Sequence, residues 1–265
     1  MIDCHFHSNF SFDSKSDPEA LVEKAISSGL KVITFTDHLD YDADLLRRDF
    51  DFDIEDYFKT LSVLKERYKD RIEIFFGAEL GIQPQLIKKY EDVARNYPWD
   101  FILMSIHTVE QRDLAVDGYV EKYSPVDGLI KYYETMLSML NQFSDFDSLA
   151  HLDYLDRYYF RSQTLPEYEK YQEYVLEVFK KVIEMGKVIE INTAGIRKGL
   201  GYFHPKPPAL SDYVKLGGTS ATLGSDAHFV EDLGKDLTSA LQSAKKIGIK
   251  TLSFFRKRKR EDFFI

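Results

Sequence analysis

Residues 1–38 of the chain read MIDCHFHSNFSFDSKSDPEALVEKAISSGLKVITFTDH. The apolar segment Ile2–Phe6 predicts a short strand. The stretch after it has the start signals of a helix, with Asp17 as its N-cap and Pro18 in its first turn. Lys31–Thr36 is rich in β-branched and aromatic residues and predicts a second strand. A strand, a helix and a strand in this order are typical of a βαβ unit in a parallel sheet.

The same alternation of short apolar segments and helical stretches continues along the chain. Further strands are predicted at Ile72–Ala78, Phe101–Ile106, Ser148–Ala150, Val188–Ile191, Ser220–Leu223 and Thr251–Phe255. Further helices are predicted at Ile54–Tyr68, Leu86–Asn96, Val126–Phe143, Pro166–Met185, Ser211–Leu216 and Leu233–Ile247. This pattern predicts one α/β domain, residues 1–265, folded as a closed or distorted (β/α) barrel like the TIM barrel. An open doubly wound sheet is the alternative, although no glycine-rich phosphate loop follows the first strand.

The overall charge of the chain restricts its partners. The formal net charge is −9, which disfavours nucleic-acid binding because a basic face is needed to neutralise phosphates. One basic run, Arg256–Arg260 (RKRKR), is expected to be a solvated tail, with a nucleic-acid contact as the alternative. Without a leader segment or an apolar run of about 18 residues, we expect a cytoplasmic protein with no membrane contact. Cys4 is the only cysteine, so any metal must be bound by His and carboxylate side chains.

Residue types that bind metals fall where the predicted strands end. In chain order these residues are His5 and His7, Asp37 and His38, Glu79, His107, His151, Asn192, and Asp226 and His228. Six of the seven histidines lie at such ends, and the seventh, His204, lies in a predicted loop. The carboxyl ends of the strands in a (β/α) barrel meet on one face, where the active site forms. The sequence therefore predicts that these residues share one pocket.

The spacing within the pairs favours metal binding. Residues i and i+2 of an extended chain point to the same side, so His5 and His7 are placed to hold one ion together. Asp226 and His228 repeat this spacing. Imidazole and carboxylate groups suit Zn, Mn or Fe, and the set is too large for one tetrahedral ion, so two or three divalent ions are expected. The alternative, that each His is a satisfied polar residue at a strand end, does not account for the ordered set.

This ordered set resembles the PHP (polymerase and histidinol phosphatase) family of metal-dependent phosphoesterases. The matching motifs are His5-x-His7, Thr36-Asp37-His38, Glu79, Ser105-Ile106-His107, His151 and Asp226-x-His228. Within that family, the stretches SDPEALVEKAISSGLKVITFTDH, HLDYLDRY and EINTAGIR are similar to the histidinol-phosphate phosphatases. The resemblance implies a distorted (β/α)7 barrel with a three-metal site.

The resemblance also implies which residues hold each ion. The first ion would be held by His5, His7, Glu79 and Asp226, the second by Glu79, His107 and His151, and the third by Asp13, His38 and His228. Glu79 would bridge the first two ions, and Asp13 stands where some family members have His. The catalytic centre is expected at Glu79, Asp226 and His228, with a metal-activated hydroxide attacking phosphorus in line.

Other polar side chains are candidates for binding substrate. Arg161 and Arg197 follow strand ends and carry the planar fork that matches phosphate. His204 is a candidate contact from its loop, and Asn192 is expected to line the pocket. Asp153 is expected either to orient a metal-binding histidine or to bind a substrate ammonium group. For each of these residues a surface or structural role is the alternative.

Three functions remain open from the sequence. The resemblance favours hydrolysis of a small-molecule phosphate monoester, L-histidinol phosphate, to L-histidinol and phosphate in histidine biosynthesis. The second function is that of another PHP phosphoesterase, acting on phosphotyrosine or on nucleotide or oligonucleotide 5′ ends. The third is a metal-binding module without catalysis, against which the complete ligand set argues. The sequence makes no prediction of the oligomeric state.

Overall fold

A computed structural model describes residues 1–265. Its strands are β1 (Ile2–Asp3), β2 (Val32–Phe35), β3 (His38–Leu39), β4 (Glu73–Gly81), β5 (Phe101–Ser105), β6 (Thr108–Val109), β7 (Arg112–Asp113), β8 (Ser148–Leu149), β9 (Val188–Asn192), β10 (Ser220–Gly224), β11 (Thr251–Arg256) and β12 (Lys259–Phe264). Its α-helices are α1 (Pro18–Ser27), α2 (Ile54–Tyr68), α3 (Ile87–Asn96), α4 (Tyr119–Lys122), α5 (Pro125–Gln142), α6 (Asp156–Ser162), α7 (Gln172–Glu184), α8 (Ala194–Arg197), α9 (Pro207–Lys215) and α10 (Leu237–Ile247).

Seven parallel strands form a distorted (β/α)7 barrel. They pair in the order β1, β2, β4, β5, β8, β9 and β10, and every pair is parallel. The first and last of these strands come together where Cys4 N, just after β1, donates to Leu223 O of β10 at 2.8 Å and Asp226 N donates to His5 O at 2.7 Å. The carboxyl ends of the seven strands therefore surround one opening, which confirms the predicted fold class.

The closure between β1 and β10 is incomplete, and this distorts the barrel. Near its start, β10 pairs with β11, with Ser220 opposite Thr251, and β11 continues into the antiparallel hairpin β11–β12. Farther along, Gly224 passes so close to β1 that an added Cβ would overlap the Cβ of His5 and the carboxylate of Glu190. Glycine is required where these two strands meet, because any side chain on residue 224 would displace His5 and Glu190.

The hairpin β11–β12 covers the end of the barrel opposite the opening. Its turn is made by Lys257 and Arg258, which adopt positive φ angles of 50° and 64°. The Arg258 side chain binds Asp147, just before β8, at 2.5 Å, and Lys257 N donates to Asp100, just before β5, at 2.9 Å. Four of the five residues of the run Arg256–Arg260 are exposed, as predicted for a solvated segment, but the prediction of a tail was wrong, because the run is part of a paired hairpin attached to the barrel.

Burial explains the composition of the strands and helices. Strands β2 (VITF) and β5 (FILMS) are buried at every position, as expected for parallel strands covered by helices. Helix α2 has an apolar stripe at helical spacing, in which Tyr57, Leu61 and Leu64 are buried. Asp17 and Asp53 begin α1 and α2 by accepting hydrogen bonds from backbone N–H groups of the first turn.

Most predicted elements are present within a few residues of their predicted bounds. The predicted helix Pro166–Met185 begins only at Gln172, after a 3-10 turn over Tyr168–Lys170. Three short helices, α4, α6 and α8, were not predicted, and α6 contributes to the site described below. None of the helices combines the length and the apolar character needed to cross a membrane.

Candidate metal centre

The carboxylate of Glu79 lies at the centre of the residues gathered at the barrel opening. It is buried in β4, and His38 lies directly opposite it in the β3–β4 pairing. Five imidazole rings surround it, each with a ring nitrogen 2.9–3.4 Å from one of its oxygens: His5, His7 and His38 at Oε2, and His107 and His151 at Oε1. The two oxygens thus face two different groups of rings, which is the arrangement of a carboxylate that bridges two ions.

Two further carboxylates complete the cluster. Asp226 Oδ1 lies 3.7 Å from His5 Nε2 and 3.6 Å from His7 Nε2. Asp13 Oδ2 lies 3.1 Å from His228 Nε2 and 3.8 Å from the Nε2 atom of His38. Asp226 adopts a left-handed φ of 53°, which is uncommon for a residue with a side chain and is frequent at functional sites.

The unsatisfied atoms of the cluster fit a metal centre. His5 Nε2 and His7 Nε2 face each other at 3.1 Å. Glu79 Oε2 and His38 Nδ1 are buried without a hydrogen-bond partner, although such atoms are normally satisfied. Three groups within the cluster bring ligand atoms within 4.8 Å of one another: His7, His38 and His228; His5, His7 and Glu79; and His38, Glu79 and His107. Divalent cations that prefer nitrogen and oxygen ligands would satisfy these atoms.

Buried acceptors orient the histidine rings from behind. Glu190 Oε1 binds His5 Nδ1 at 2.6 Å, and Asp40 Oδ2 binds His107 Nδ1 at 2.8 Å. Ser11 Oγ lies 3.0 Å from the Nδ1 atom of His7. These contacts leave the opposite nitrogen, Nε2, of each ring to face the cluster, as is usual for histidines that bind metals.

The cluster keeps its carboxyl groups ionised. Burial raises the pKa of Glu79 and of Asp226, but the surrounding histidines, and Arg157 beside Asp226, outweigh it and hold both pKa values well below their usual range. Burial lowers the pKa of His5, but the neighbouring glutamates outweigh it and hold that pKa well above its usual range. For His7, burial and the adjacent imidazoles together hold the pKa well below its usual range. Ionised carboxylates concentrated in a buried cluster are complementary to divalent cations.

The sequence of residues 3–194 matches the family model of the PHP domain. The chain belongs to the PHP domain family. The "Probable histidinol-phosphatase" of Clostridium acetobutylicum is 32% identical to it over 259 residues, which cover 97% of this chain and 98% of that protein. The histidinol-phosphatase of Lactococcus lactis is 29% identical and covers 96% of this chain and 94% of its own length.

Two solved structures share this architecture. The histidinol phosphate phosphatase of Lactococcus lactis, solved in complex with zinc, L-histidinol and phosphate, has a TM-score of 0.89, 26% identity and coverage of 98% of both chains. One chain from the crystal structures of the metal-dependent tyrosine phosphatases of Bacillus subtilis and Streptococcus pneumoniae has a TM-score of 0.50, 17% identity and coverage of 93% of this chain and 87% of its own length. The second similarity concerns the fold alone.

The cluster of this PHP domain lies at the base of an open cavity of about 220 Å³. Above the predicted metal ligands, two cationic residues, Arg157 and Lys198, line the cavity wall. Three aromatic residues, Tyr154, Tyr158 and Phe229, line it as well. The cavity therefore combines carboxylates and imidazoles at its base with cations and aromatic rings on its walls.

The structure brings all nine predicted metal ligands into the cluster, but it places the predicted substrate-binding residues differently. Arg161 is exposed on α6 and does not line the cavity, because α6 carries it away from the opening. Asn192 is fully buried and donates to Glu190 at 3.0 Å and Asp226 at 3.3 Å. The Arg197 side chain donates to the backbone oxygens of Ser225 and Asp226, so it braces the segment that presents Asp226.

Asp153 and His204 also lie behind the cavity wall. Both are fully buried, and neither lines the cavity. Asp153 binds His204, whereas His151 Nδ1 has no hydrogen-bond partner. The prediction that Asp153 orients a metal-binding histidine was therefore wrong, because its two carboxylate oxygens bind His204 and Lys206 N instead.

Two important residues were missed from the sequence. Arg157 lies in α6, a helix that was not predicted, one helical turn before Arg161 and closer to the strand end at His151. Glu190 lies within β9, and a single acid inside the buried segment VIEIN is a detectable signal, since a buried charge requires a partner.

Proposed function

We propose that this PHP domain hydrolyses L-histidinol phosphate to L-histidinol and inorganic phosphate. The observation that carries the proposal is the cavity, with its His and carboxylate cluster at the base and Arg157 and Lys198 on its wall. The similarity over both full chains to the phosphatase solved with zinc, L-histidinol and phosphate supports the choice of substrate. The phosphate of this substrate would contact the metal cluster and the two cationic side chains. Its imidazole would contact the aromatic side chains of the cavity wall.

Two or three divalent ions, of zinc, manganese or iron, would occupy the cluster. The first ion would be held by His5, His7, Glu79 and Asp226, the second by Glu79, His107 and His151, and the third by Asp13, His38 and His228. Bound divalent ions lower the pKa of a coordinated water to about 7 and neutralise charge on phosphoryl oxygens. Glu79 holds the first two ligand groups together, since its two oxygens face different sets of rings.

The remaining residues of the cavity bind and orient the substrate. Arg157 donates from Nε and Nη2 to buried acceptors, which leaves its Nη1 atom without a protein partner and available to a phosphate oxygen. Lys198 adds a second positive charge to the wall. Tyr158 and Phe229 offer flat apolar faces for an imidazole ring. Cys4 takes no part as a nucleophile, because it is buried and burial raises the pKa of its thiol.

The alternative functions have weaker support. The basic run Arg256–Arg260 lies in the hairpin at the opposite end of the barrel, so it offers no basic face near the opening for an oligonucleotide. Phosphotyrosine hydrolysis is suggested only by similarity of fold at 17% identity.

The single-domain organisation over residues 1–265 and the cytoplasmic location stay predictions. The single-domain organisation is supported by one continuous cluster of 72 buried apolar side chains.

Phosphate release by the zinc-loaded protein tests the proposal. L-Histidinol phosphate is compared with phosphotyrosine, a nucleotide monophosphate and a short oligonucleotide at equal concentration. We expect kcat/KM of about 10⁴ M⁻¹s⁻¹ or more for L-histidinol phosphate, and values lower by orders of magnitude for the others. His5→Ala is the control, which should stay folded while losing zinc and activity.

The outcomes separate the three functions. Equal or higher kcat/KM for phosphotyrosine or for the oligonucleotide would move the activity to that substrate class. Zinc binding without turnover of any phosphate ester would support a non-catalytic metal-binding module. Unchanged zinc content and activity in His5→Ala would refute the assignment of the cluster itself.

A further inference from the structure

A chain of buried hydrogen bonds runs behind the cavity wall to Arg157. Asp153 Oδ1 binds His204 Nδ1 at 2.5 Å, and His204 Nε2 lies 2.9 Å from Arg157 Nε. Arg157 Nη2 in turn donates to Asp226 Oδ2 at 2.9 Å. Asp153 and His204 are fully buried, so water does not compete for these bonds.

The direction of each bond follows from the chemistry of the guanidinium group. Arg157 can only donate, so His204 Nε2 must be the acceptor and its ring must carry the proton on Nδ1. That Nδ1–H then donates to Asp153 Oδ1. The other oxygen, Asp153 Oδ2, accepts from Lys206 N at 2.7 Å. Asp153 therefore fixes the tautomer in which His204 can accept from Arg157.

The same contacts determine which part of Arg157 is free. Nε donates to His204, and Nη2 donates to Asp226 and, at 3.4 Å, to the Oδ1 atom of Asn192. Nη1 has no protein partner, and Arg157 lines the cavity. Because the guanidinium group is a rigid plane, fixing Nε and Nη2 also fixes the direction of the two Nη1 N–H bonds.

We propose that Asp153 and His204 are positioning residues that set the orientation of Arg157 for a phosphoryl group. Their role is indirect: neither touches the substrate, and both act through the Nε bond of Arg157. The inference rests on the proposed function only in that the ligand carries a phosphoryl group. It replaces the sequence-based prediction that these two residues bind substrate themselves.

Asp153→Asn tests positioning while it conserves the volume of the side chain. Lys206 N requires an acceptor, so the amide oxygen of the substituted side chain must face it and the amide NH₂ must face His204. Nδ1 of His204 would then have to accept, its proton would move to Nε2, and that N–H would oppose the Nε–H of Arg157. A single carboxylate-to-amide change is thus expected to break the Nε bond of Arg157 without substituting any residue of the cavity wall.

The probe is inorganic phosphate, titrated calorimetrically into the full-length, zinc-loaded protein. We expect Asp153→Asn to bind phosphate about tenfold more weakly than wild type, because it loses one charge-assisted hydrogen bond that orders the guanidinium. Zinc content should be unchanged, and with L-histidinol phosphate the rise in KM should exceed the fall in kcat. Tyr202→Phe is the matched control, because it removes a neighbouring, partly buried hydrogen bond to Asp156 that does not include Arg157.

A second pair of variants applies if Asp153→Asn does not fold. The amide oxygen of a glutamine reaches the position of His204 Nε2, whereas that of an asparagine reaches only the position of Nδ1. His204→Gln is therefore expected to bind phosphate nearly as tightly as wild type, and His204→Asn is expected to bind it as weakly as Asp153→Asn. Equal phosphate affinity in these two variants would overturn the proposal.

A double-mutant cycle distinguishes positioning from general loosening of the fold. In the Arg157→Met background, Asp153→Asn should cause no further loss of phosphate affinity, because its effect passes through Arg157. Additive losses would refute the proposal, as would wild-type protein that binds no phosphate. If wild type binds phosphate with the expected variant pattern but does not hydrolyse L-histidinol phosphate, the proposed function fails and the positioning role stands.

Discussion

Glu190 shows how a buried carboxylate can determine which nitrogen of a histidine faces a metal. Its Oε1 atom binds His5 Nδ1, while Oε2 accepts from His151 N at 2.8 Å and from the side chain of Asn192 at 3.0 Å. Two donors thus hold Oε2 in place, and the other oxygen, Oε1, is left to accept a hydrogen bond from His5. The His5 proton is accordingly placed on Nδ1, and Nε2 is free to coordinate.

Glu190→Gln should therefore weaken the first metal site. The glutamine oxygen will take the position with two donors, so its NH₂ will face His5 and force the ring into the wrong tautomer. We expect zinc affinity at that site to fall by about 10–100-fold, measured by competition with a chromophoric chelator. The exposed Glu169 provides the control substitution Glu169→Gln, and equal zinc affinity in the two variants would exclude the orienting role.

Residue types and spacing predicted which side chains gather at the barrel opening, but not the residues that orient them. His5, His7 and Asp226 stand at strand ends, where an imidazole or carboxylate is conspicuous. Arg157 was missed because its orientation depends on contacts with His204 and Asp226, which are far from it in the sequence. Such contacts exist only after the barrel closes, so local patterns do not reveal them.

The hairpin β11–β12 is the element that differs most from the expectation. A run of five basic residues suggested a free tail, yet Arg256 and Arg258 bind acids at the amino ends of barrel strands. Arg258 binds Asp147 at 2.5 Å and the backbone oxygen of Asp145 at 3.0 Å, and Arg256 binds Glu73 at 2.7 Å. The hairpin therefore ties together the amino ends of β4 and β8, far from the opening.

Arg258→Ala should destabilise the protein without affecting catalysis. Asp147 is largely buried and would lose its cationic partner, so we expect a loss of about 1–3 kcal/mol in the free energy of unfolding. Urea unfolding of the zinc-loaded protein measures this loss, and kcat should remain at the wild-type value. Lys259→Ala, in the same hairpin but with an exposed side chain, should change stability by less than about 0.5 kcal/mol. A matching loss in both variants, or a fall in kcat, would contradict a purely structural role.

At the scale of the whole molecule, the order of strands and helices was predictable because each barrel strand is a short apolar segment followed by a helix. The incomplete closure between β1 and β10 was not predictable, since it depends on hydrogen bonds between residues such as Cys4 and Leu223 at opposite ends of the chain. Short helices such as α6 have too few residues to show a helical period. The gathering of these histidines and carboxylates at one opening could therefore be predicted, while the shape of the substrate cavity could not.

The whole cluster makes metal loading dependent on pH. Burial lowers the pKa of His5 and of His107, but the carboxylates around them outweigh it and hold both pKa values well above their usual range. The metal-free protein consequently binds protons at these rings at neutral pH, and an incoming cation must displace them. Proton binding and metal binding are mutually exclusive at these nitrogens, so zinc affinity must rise as pH rises through the raised pKa values.

We expect zinc affinity to increase steeply as pH rises through neutrality towards the raised pKa values of His5 and His107, with more than one proton released per protein. Calorimetric titrations of the metal-free protein in buffers of different ionisation enthalpy measure that number directly. Asp40→Asn supplies the comparison, because Asp40 is the charged neighbour that raises the pKa of His107 the most. Without that carboxylate fewer protons should be displaced, and the pH dependence should become shallower. A zinc affinity independent of pH would mean that the cations bind outside this cluster of histidines.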